Sequence, residues 1–144
     1  MIRIRRAEVR DVAAIQLLNR ECLGYDYPLD KTKEKLAAAI EDPGQCVLVA
    51  ELDPDVIAGY IHLEDYDTLY FDPMKNILGI AVFMEFRRRG IATRLLTEAE
   101  EWAAETGASG IRLVTGVERE DAHAFYERMG YTMRKLQKHY IKLL

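Results

Sequence analysis

The stretch NILGIAVFMEFRRRGIATRLL, residues 76–96, decides the fold of this 144-residue chain. It begins as an apolar run typical of a buried strand, and it ends in a helical pattern that continues to about Gly107. Three arginines, Arg87 to Arg89, separate the two patterns and stop at Gly90. The stretch therefore predicts a strand, a glycine-containing turn and a helix, in that order.

The predicted turn has the chemistry of an anion site. The first N–H groups of a helix have no partner inside the helix, and the helix dipole adds partial positive charge there. Gly90 lacks a Cβ and Ala92 is small, so a phosphate can approach the backbone, and arginines add charge-assisted hydrogen bonds. The first helical turn has no acid; the acids lie later, at Glu98, Glu100, Glu101 and Glu105.

The arginines also have a plainer interpretation, as solvated surface charges before an ordinary helix. Gly90, Ala92 and the acid-free first turn together favour the anion site. The stretch contains neither the G-x-x-x-x-G-K-[ST] phosphate loop nor the second glycine of a dinucleotide fingerprint.

Composition limits the other functions. The chain is 49% hydrophobic and 31% charged, with a net charge of −4. It has no apolar run near the ~20 residues that span a bilayer. We therefore expect one globular domain over residues 1–144, cytoplasmic, without nucleic-acid or membrane partners. Cys22 and Cys46 are expected to be reduced, and no Cys or His spacing indicates a metal site.

The pattern along the chain predicts a mixed α/β or α+β fold with the order β-α-α-β-β-β-α-β-α-β-β. The predicted strands lie at residues 2–6, 46–52, 56–63, 76–84, 111–116, 131–135 and 139–143. The predicted helices lie at residues 9–22, 31–41, 91–106 and 121–129. Helix 31–41 is expected to bury Leu36 and Ile40, and the helix after Gly90 is expected to bury Ile91, Leu95, Ala99 and Trp102.

Two motifs together resemble a known family. VFMEFRRRGIATRLL, residues 82–96, resembles the [QR]-x-x-G-x-[GA] loop of the GNAT superfamily of acyl-CoA-dependent N-acyltransferases, with Arg87, Gly90 and Ala92 in the motif positions. DAHAFYERMGY, residues 121–131, resembles the family's A-x-x-F-Y-x-x-x-G-[FY] motif. That motif often follows an asparagine three residues before its alanine, where this chain has Arg119.

The resemblance implies a mostly antiparallel sheet flanked by about four helices. It implies an enzyme that moves the acetyl group of acetyl-CoA directly to a primary amine of a small molecule or peptide, without a metal, and it is compatible with a homodimer. Tyr126 matches the usual proton donor to the CoA thiolate, and Val82 N–H is the candidate oxyanion donor. The implied cofactor-binding residues are Val82, Phe83, Met84, Arg87, Arg88, Arg89, Gly90, Ile91, Ala92, Thr93 and Arg119.

The general base and the acceptor are less defined. Candidate bases are His62, Glu64, Asp65 and Asp72, and a water relay is an equal alternative. Candidate acceptor contacts are Tyr25, Tyr27, His62, Glu64, Asp65 and Tyr70. Aromatic and acidic residues in these connections suit a cationic amine, such as a polyamine, an aminoglycoside-like amine or a basic peptide end. They are equally consistent with ordinary polar loops.

Two other classes compete with the enzyme. A non-catalytic acyl-CoA sensor would keep the arginine loop and would not need Tyr126. A nucleic-acid binder could use the arginine-rich helix start, but the acidic total and the lack of a second basic cluster argue against it.

Overall fold

A computed structural model describes all residues, 1–144. Residues 1–113 form one compact unit and residues 114–144 form a second, and each is described by itself. No helix has the length and apolar composition needed to span a membrane.

The first unit consists of a five-stranded sheet and three α-helices. The elements are β1 (Arg3–Arg6), α1 (Val12–Leu18), α2 (Leu29–Glu41), β2 (Gln45–Asp53), β3 (Val56–Tyr66), β4 (Met74–Val82), α3 (Ile91–Glu105) and β5 (Gly110–Arg112). A 3₁₀ turn, Val9–Asp11, precedes α1, and a π turn, Asn19–Leu23, follows it. The single predicted helix 9–22 is therefore three short pieces. It ends at Gly24, which has a φ of 81° and terminates the helical backbone in the left-handed region.

The sheet has the strand order β1-β2-β3-β4-β5. The first four strands are antiparallel, and β5 is parallel to β4. The β4–β5 ladder is short and covers only Met74, Lys75 and Asn76 of β4. From Ile77 to Val82, β4 continues without β5 beside it, so this length of the strand has one open edge.

A bulge in β4 sets which of its side chains lie on each face. His62 pairs with Gly79 and Leu63 pairs with Ile77, so Leu78 is the extra residue between the two pairs. Leu78 is half exposed. Because side chains alternate between faces along a strand, one extra residue shifts the alternation of everything before it.

Each face of the sheet is covered by helices. Val47, Val49, Tyr60 and Ala81 pack in one core with residues of α1 and α2 such as Leu18 and Leu36. The alternate strand residues face α3, whose buried stripe includes Ile91, Leu95, Ala99 and Trp102, as predicted. Ile40 of α2 was predicted to be buried, but it is 40% exposed; Ala39, one residue earlier, takes the inward position.

The second unit contains α4 (Glu120–Arg128). This helix ends before Gly130, which has a φ of 91°. The predicted mixed, mostly antiparallel sheet with flanking helices is confirmed, but the last two predicted strands do not form: residues 131–144 adopt neither helix nor strand. A strand needs a hydrogen-bonded neighbour, and no strand of the chain is paired with these residues. β5 ends at Arg112 and not at the predicted Gly116, because its pairing with β4 covers only three residues, Gly110 to Arg112.

Candidate functional site

The turn between β4 and α3 has an unusual backbone. A 3₁₀ turn, Met84–Phe86, follows Phe83, and then Arg88 and Gly90 both have positive φ values of 66° and 77°. Only a few per cent of non-glycine residues adopt positive φ. Left-handed residues in a turn can direct neighbouring N–H groups into one concavity, and a concavity of this kind can bind anions.

The start of α3 supplies further free donors. The first bond of the helix runs from Arg94 N–H to Gly90 O at 3.1 Å, so the N–H groups of Ile91, Ala92 and Thr93 precede the helical ladder. No side chain caps this end, and the first turn has no acid. The helix start can therefore accept an external anion.

Gly90 has a conformational role besides the one the sequence indicated. A Cβ at Gly90 would meet no protein atom within 4 Å, so packing within the chain does not require glycine there. The φ of 77° disfavours other residues. The clearance for a phosphate stays a prediction, and the structure adds a conformational requirement.

The arginines of the turn are not equivalent. Arg87 donates from Nε to Val82 O at 3.0 Å, and this bond uses one of its five donors. The Arg89 guanidinium lies 5.5 Å from the centre of the Phe86 ring. Arg94, in the first turn of α3, donates to Ile2 O at 2.6 Å, so its guanidinium is bound to the start of β1.

The open edge of β4 directs Val82 outward. Phe83 N–H donates to Ala58 O at 2.9 Å, so Phe83 is bonded toward β3. Backbone groups alternate along a strand, and therefore Val82 N–H is directed away from β3 to the open edge. Of Val82, Phe83 and Met84, the implied cofactor-binding residues that precede the arginines, only Val82 has this orientation. Phe83 uses its N–H within the sheet, and Met84 lies in the 3₁₀ turn.

A row of polar side chains crosses the sheet near the start of β4. Gln45, Glu64, Asn76 and Arg112 are aligned in register across β2, β3, β4 and β5. Asn76 Nδ2 donates to Glu64 Oε2 at 3.0 Å, and Arg112 Nη1 donates to Asn76 Oδ1 at 2.7 Å. The Arg112 guanidinium also lies 4.5 Å from the centre of the Tyr66 ring. All these side chains are half-buried.

His62 joins this row. Its Nε2 is 2.7 Å from Gln45 Oε1, and it lies two residues before Glu64 on the same face of β3. Burial lowers the pKa of His62 below 6.5, and the nearby Glu64 carboxylate partly opposes that shift. His62 is therefore neutral at pH 7, as a general base must be.

Asp65 lies on the opposite face. Its carboxylate is bound to the ammonium of Lys75, which is 5% exposed. Lys75 Nζ lies 4.3 Å from the centre of the Trp102 ring of α3. The structure thus separates Asp65 from His62 and Glu64, because adjacent residues of a strand face opposite sides. Asp65 has a structural partner, which weakens it as a candidate base.

The other candidate acceptor residues lie in two connections. Tyr25 and Tyr27 follow the π turn; Tyr25 is 68% exposed, and Gln16 Nε2 donates to Tyr27 O at 2.9 Å. Tyr70 is exposed between β3 and β4 and contacts the Phe71 ring with a centroid distance of 5.0 Å. Asp72 is exposed in the same connection.

The second unit holds the other predicted catalytic residue. Tyr126 lies in α4 with its ring 5.2 Å from Phe125 and 5.8 Å from Tyr131, measured between centroids. Burial raises the pKa of Tyr126 above 10, and the charge of Arg119 partly opposes that shift. Its hydroxyl is therefore protonated at neutral pH. Arg119 is the exposed N-cap residue of α4 and makes no side-chain cap.

Sequence reasoning missed Gln45, Asn76 and Arg112. Each is a polar residue within or beside an apolar strand pattern, and this was the signal available. Their alignment depends on strand register, which the sequence did not provide. No group of three or more His, Cys, Asp or Glu is arranged to hold a metal ion.

Comparisons with known proteins agree with this geometry. The model of the acetyltransferase (GNAT) family matches residues 12–131. An N-alpha-acetyltransferase of Sulfurisphaera tokodaii is 29% identical over 96% of this chain and 84% of its own length. An aminoalkylphosphonate N-acetyltransferase of Salmonella typhimurium is 30% identical over 89% of this chain and 83% of its own.

A solved structure has the same fold. The aminoglycoside acetyltransferase AAC(6')-Iy, in complex with the bisubstrate analogue CoA-S-monomethyl-acetylneamine, superposes with a TM-score of 0.88. It covers 100% of this chain and 99% of its own, at 19% identity. The chain belongs to the GNAT acetyltransferase family. It is an acetyl-CoA-dependent acetyltransferase whose relatives acetylate amines.

Proposed function

We propose that this enzyme transfers the acetyl group of acetyl-CoA directly to a primary amine of a small molecule or peptide. The observation that carries the proposal is the turn of Arg87–Gly90. Its left-handed residues and the free N–H groups of α3 form an anion concavity directly after the open edge of β4. A pyrophosphate fits that concavity, because it needs several donors and no nearby acid.

The proposed pyrophosphate cradle consists of residues 87–93. Backbone N–H groups from Gly90 to Thr93 bind phosphate oxygens, and Arg88 adds positive charge at the mouth. Arg87 shapes the cradle by its bond to Val82 O. Arg119 is a candidate for a further phosphate contact, since it replaces an uncharged asparagine of the family motif with a cation.

Acetyl-CoA supplies the thioester whose acyl carbon is attacked by the amine. Val82 N–H is the proposed donor to the oxyanion that forms on the carbonyl oxygen, because its direction toward the open edge of β4 leaves it free of the β3 ladder. Tyr126 is the proposed acid that protonates the departing thiolate. Its raised pKa keeps the phenol protonated until the thiolate needs a proton.

His62 is the strongest candidate for the base. A free alkylammonium has a pKa near ~10.4 and must lose a proton before it attacks. Neutral His62 can accept that proton directly or through a water molecule, and Glu64 stabilises the resulting imidazolium. Asp65 is bound to Lys75 and so is not available in the same way.

The acceptor is proposed to be cationic. Tyr25, Tyr27 and Tyr70 are aromatic, and Glu64, Asp67 and Asp72 add negative charge. Aromatic faces and carboxylates recognise ammonium groups. The relatives named above are an N-alpha-acetyltransferase and an aminoalkylphosphonate N-acetyltransferase. The panel of substrates to test therefore includes both small-molecule amines and peptide termini.

The test is thiol release from acetyl-CoA with polyamines, aminoglycosides, amino acids and basic peptides. We expect release that depends on one class of amine, and Tyr126→Phe is expected to lower kcat roughly 10²- to 10⁴-fold without weakening acetyl-CoA binding. Equal turnover of neutral and polycationic amines would contradict the cationic acceptor. Unchanged kcat in Tyr126→Phe would remove the proposed acid.

A matched pair of variants tests the cradle. Gly90→Asn and Gly90→Asp both suit a left-handed backbone, but only Asp adds an anion. We expect the acetyl-CoA KM to be roughly tenfold higher in Gly90→Asp than in Gly90→Asn, from repulsion of the pyrophosphate. Equal KM values in the two variants would place the pyrophosphate elsewhere.

A further inference from the structure

Arg112, the last residue of β5, is a half-buried cation without an acidic partner. Only three cationic side chains of the chain are not exposed, and they are Arg5, Lys75 and Arg112. Arg5 is ion-paired with two carboxylates and Lys75 with one. Arg112 contacts only neutral groups, the Asn76 amide and the Tyr66 ring, and forms no ion pair. Because buried charges are normally paired, a ligand is expected to supply the missing anion.

The acid of the polar row is kept away from Arg112. Asn76 lies between them: its Nδ2 donates to Glu64 Oε2 at 3.0 Å, and its Oδ1 accepts from Arg112 Nη1 at 2.7 Å. The three residues are aligned on neighbouring strands, so the backbones of Glu64 and Arg112 are roughly 10 Å apart. The acid and the cation therefore do not neutralise each other directly, and both are available to a ligand.

The Arg112 guanidinium is held in place and has donors to spare. It lies 4.5 Å from the centre of the Tyr66 ring, and the bond to Asn76 uses one of its five N–H groups. A guanidinium that packs on an aromatic ring still presents N–H groups in its own plane. Pairs of these groups bind the two oxygens of a carboxylate or a phosphonate, so the fixed geometry suits an oxyanion.

Arg112 lies at the point where the ladder between β4 and β5 ends. It pairs with Asn76, and from Ile77 onward β4 has an open edge. His62, the proposed base, shares a face of β3 with Glu64 and lies two residues before it. Strand spacing places the backbones of Arg112 and His62 roughly 12 Å apart. A ligand with its anionic group on Arg112 can therefore extend across the polar row toward His62.

We propose that the acceptor amine carries a carboxylate or a phosphonate at its other end, and that Arg112 binds this group. The inference rests on the proposed acetyl transfer and names the class of its acceptor. The ammonium group meets Glu64 and His62 while the anion meets Arg112, so each charge of the acceptor faces an opposite or neutral group. The span places the amine and the anion several bonds apart, as in an ω-amino acid, and not on one carbon as in an α-amino acid.

The test compares ω-amino acids of increasing length with unsubstituted alkylamines and with ω-aminoalkylphosphonates of the same length, by thiol release from acetyl-CoA. We expect kcat/KM for the best ω-amino acid or aminophosphonate to exceed that for the matched alkylamine by about tenfold or more. Arg112→Gln is expected to lower the higher value roughly 10- to 100-fold and to change the alkylamine value less than about threefold. The carboxylate and phosphonate series show which oxyanion is preferred.

Two further variants separate geometry from charge. Arg112→Lys keeps the charge but loses the planar pair of donors, and it is expected to fall between the wild type and Arg112→Gln. Arg6→Gln removes an exposed cation of β1, at the opposite edge of the sheet, and is the matched control. It is expected to leave the values for both kinds of amine unchanged. Urea unfolding of each variant shows that it is folded.

Calorimetry with the same ligands in the presence of CoA gives a readout that does not need transfer. Binding that requires the anion and is lost in Arg112→Gln supports the inference, even where no amine is acetylated and the proposed function fails. Acetylation of amines without preference for the anion would overturn the inference and leave the proposed function in place. A folded Arg112→Gln that discriminates like the wild type would overturn it, as would the absence of both binding and turnover. An effect on the acetyl-CoA KM alone would assign Arg112 to the cofactor instead.

Discussion

Arg87 donates from Nε to the carbonyl oxygen of Val82 at 3.0 Å, so the first arginine of the turn is tied to the last residue of β4. The bond links the end of β4, where the proposed oxyanion donor lies, to the turn of residues 87–90, where the proposed anion concavity lies. It also fixes the peptide group that follows Val82. Arg87 thus orients the backbone while still offering its remaining donors to a ligand.

Arg87→Lys keeps the positive charge but loses the planar Nε donor. We expect the acetyl-CoA KM to rise roughly tenfold and kcat to fall, because the end of β4 is no longer held. Arg89→Lys is the comparison variant, because Arg89 belongs to the same proposed cradle but its guanidinium lies over the Phe86 ring and not at Val82 O, and it is expected to change KM less than about threefold. Steady-state kinetics with varied acetyl-CoA decides the matter, and equal effects of the two substitutions would show that charge alone matters.

Asn76 is hydrogen-bonded to both Glu64 and Arg112 in the polar row. Asn76→Leu removes both of its hydrogen bonds and leaves Glu64 and Arg112 without this partner. We expect a loss of about 1–3 kcal/mol in the free energy of unfolding, measured with urea, because half-buried charged groups are left unpaired. If the row contacts the acceptor, the acceptor KM rises while the acetyl-CoA KM stays constant.

The ion pair of Asp65 and Lys75 predicts that removing one partner destabilises the protein more than removing the other. Asp65→Asn leaves a buried ammonium without an opposite charge, beside a neutral amide and the Trp102 ring, whereas Lys75→Met leaves a carboxylate whose side chain is 57% exposed. We expect Asp65→Asn to destabilise the protein by about 1–3 kcal/mol more than Lys75→Met does. Chemical denaturation of both variants measures the difference. A kcat that falls more than tenfold in Asp65→Asn alone would restore Asp65 as a candidate base.

His62 predicts a pH dependence of stability. Its pKa in the folded protein is lowered below the 6.5 of an exposed histidine, so the unfolded chain binds the proton more readily. Stability therefore decreases as pH falls through 6.5 toward the folded pKa. His62→Gln is expected to lose less thermal stability than the wild type between pH 7.5 and pH 5.5. An identical loss in both proteins would contradict the shift.

The same variant separates a base from a structural histidine. If His62 accepts the proton of the amine, His62→Gln lowers kcat roughly 10²-fold or more, and the acid limb of the pH–rate profile disappears. If the residue is only structural, the limb stays and kcat changes little. A kcat and a limb equal to those of the wild type would favour the water relay.

The central part of the fold could be predicted from the sequence because its signals are local. The apolar run of β4, the stop at Gly90 and the helical stripe of Ile91, Leu95, Ala99 and Trp102 each depend on residues close together in the chain. The anion site, which stays a proposal, was inferred from the same stretch. The positive φ angles of Arg88 and Gly90 could be seen only in the structure, because residue types alone do not determine backbone dihedral angles.

What could not be predicted depends on pairing between strands. β3 extends to Tyr66, past the predicted Leu63, and this extension is what places Glu64 and Asp65 on opposite faces. The polar row of Gln45, Glu64, Asn76 and Arg112 depends on the pairing register of four strands, and this register could not be predicted from the sequence. Residues 131–135 and 139–143 were predicted as strands that do not form, because a pattern of side chains does not show whether a neighbouring strand is available for pairing.

The bulge at Leu78 assigns the neighbouring residues of β4 to their functions. If β4 had no bulge and Leu78 paired with Leu63, Lys75 and Ile77 would lie on the face of His62, and Asn76 would lie beneath α3. The one unpaired residue thus places an amide in the polar row and an ammonium beside Trp102. A single-codon deletion at Leu78 would remove the bulge and leave the remaining pairs of β3 and β4 as they are, so these residues would keep their faces in a strand one residue shorter.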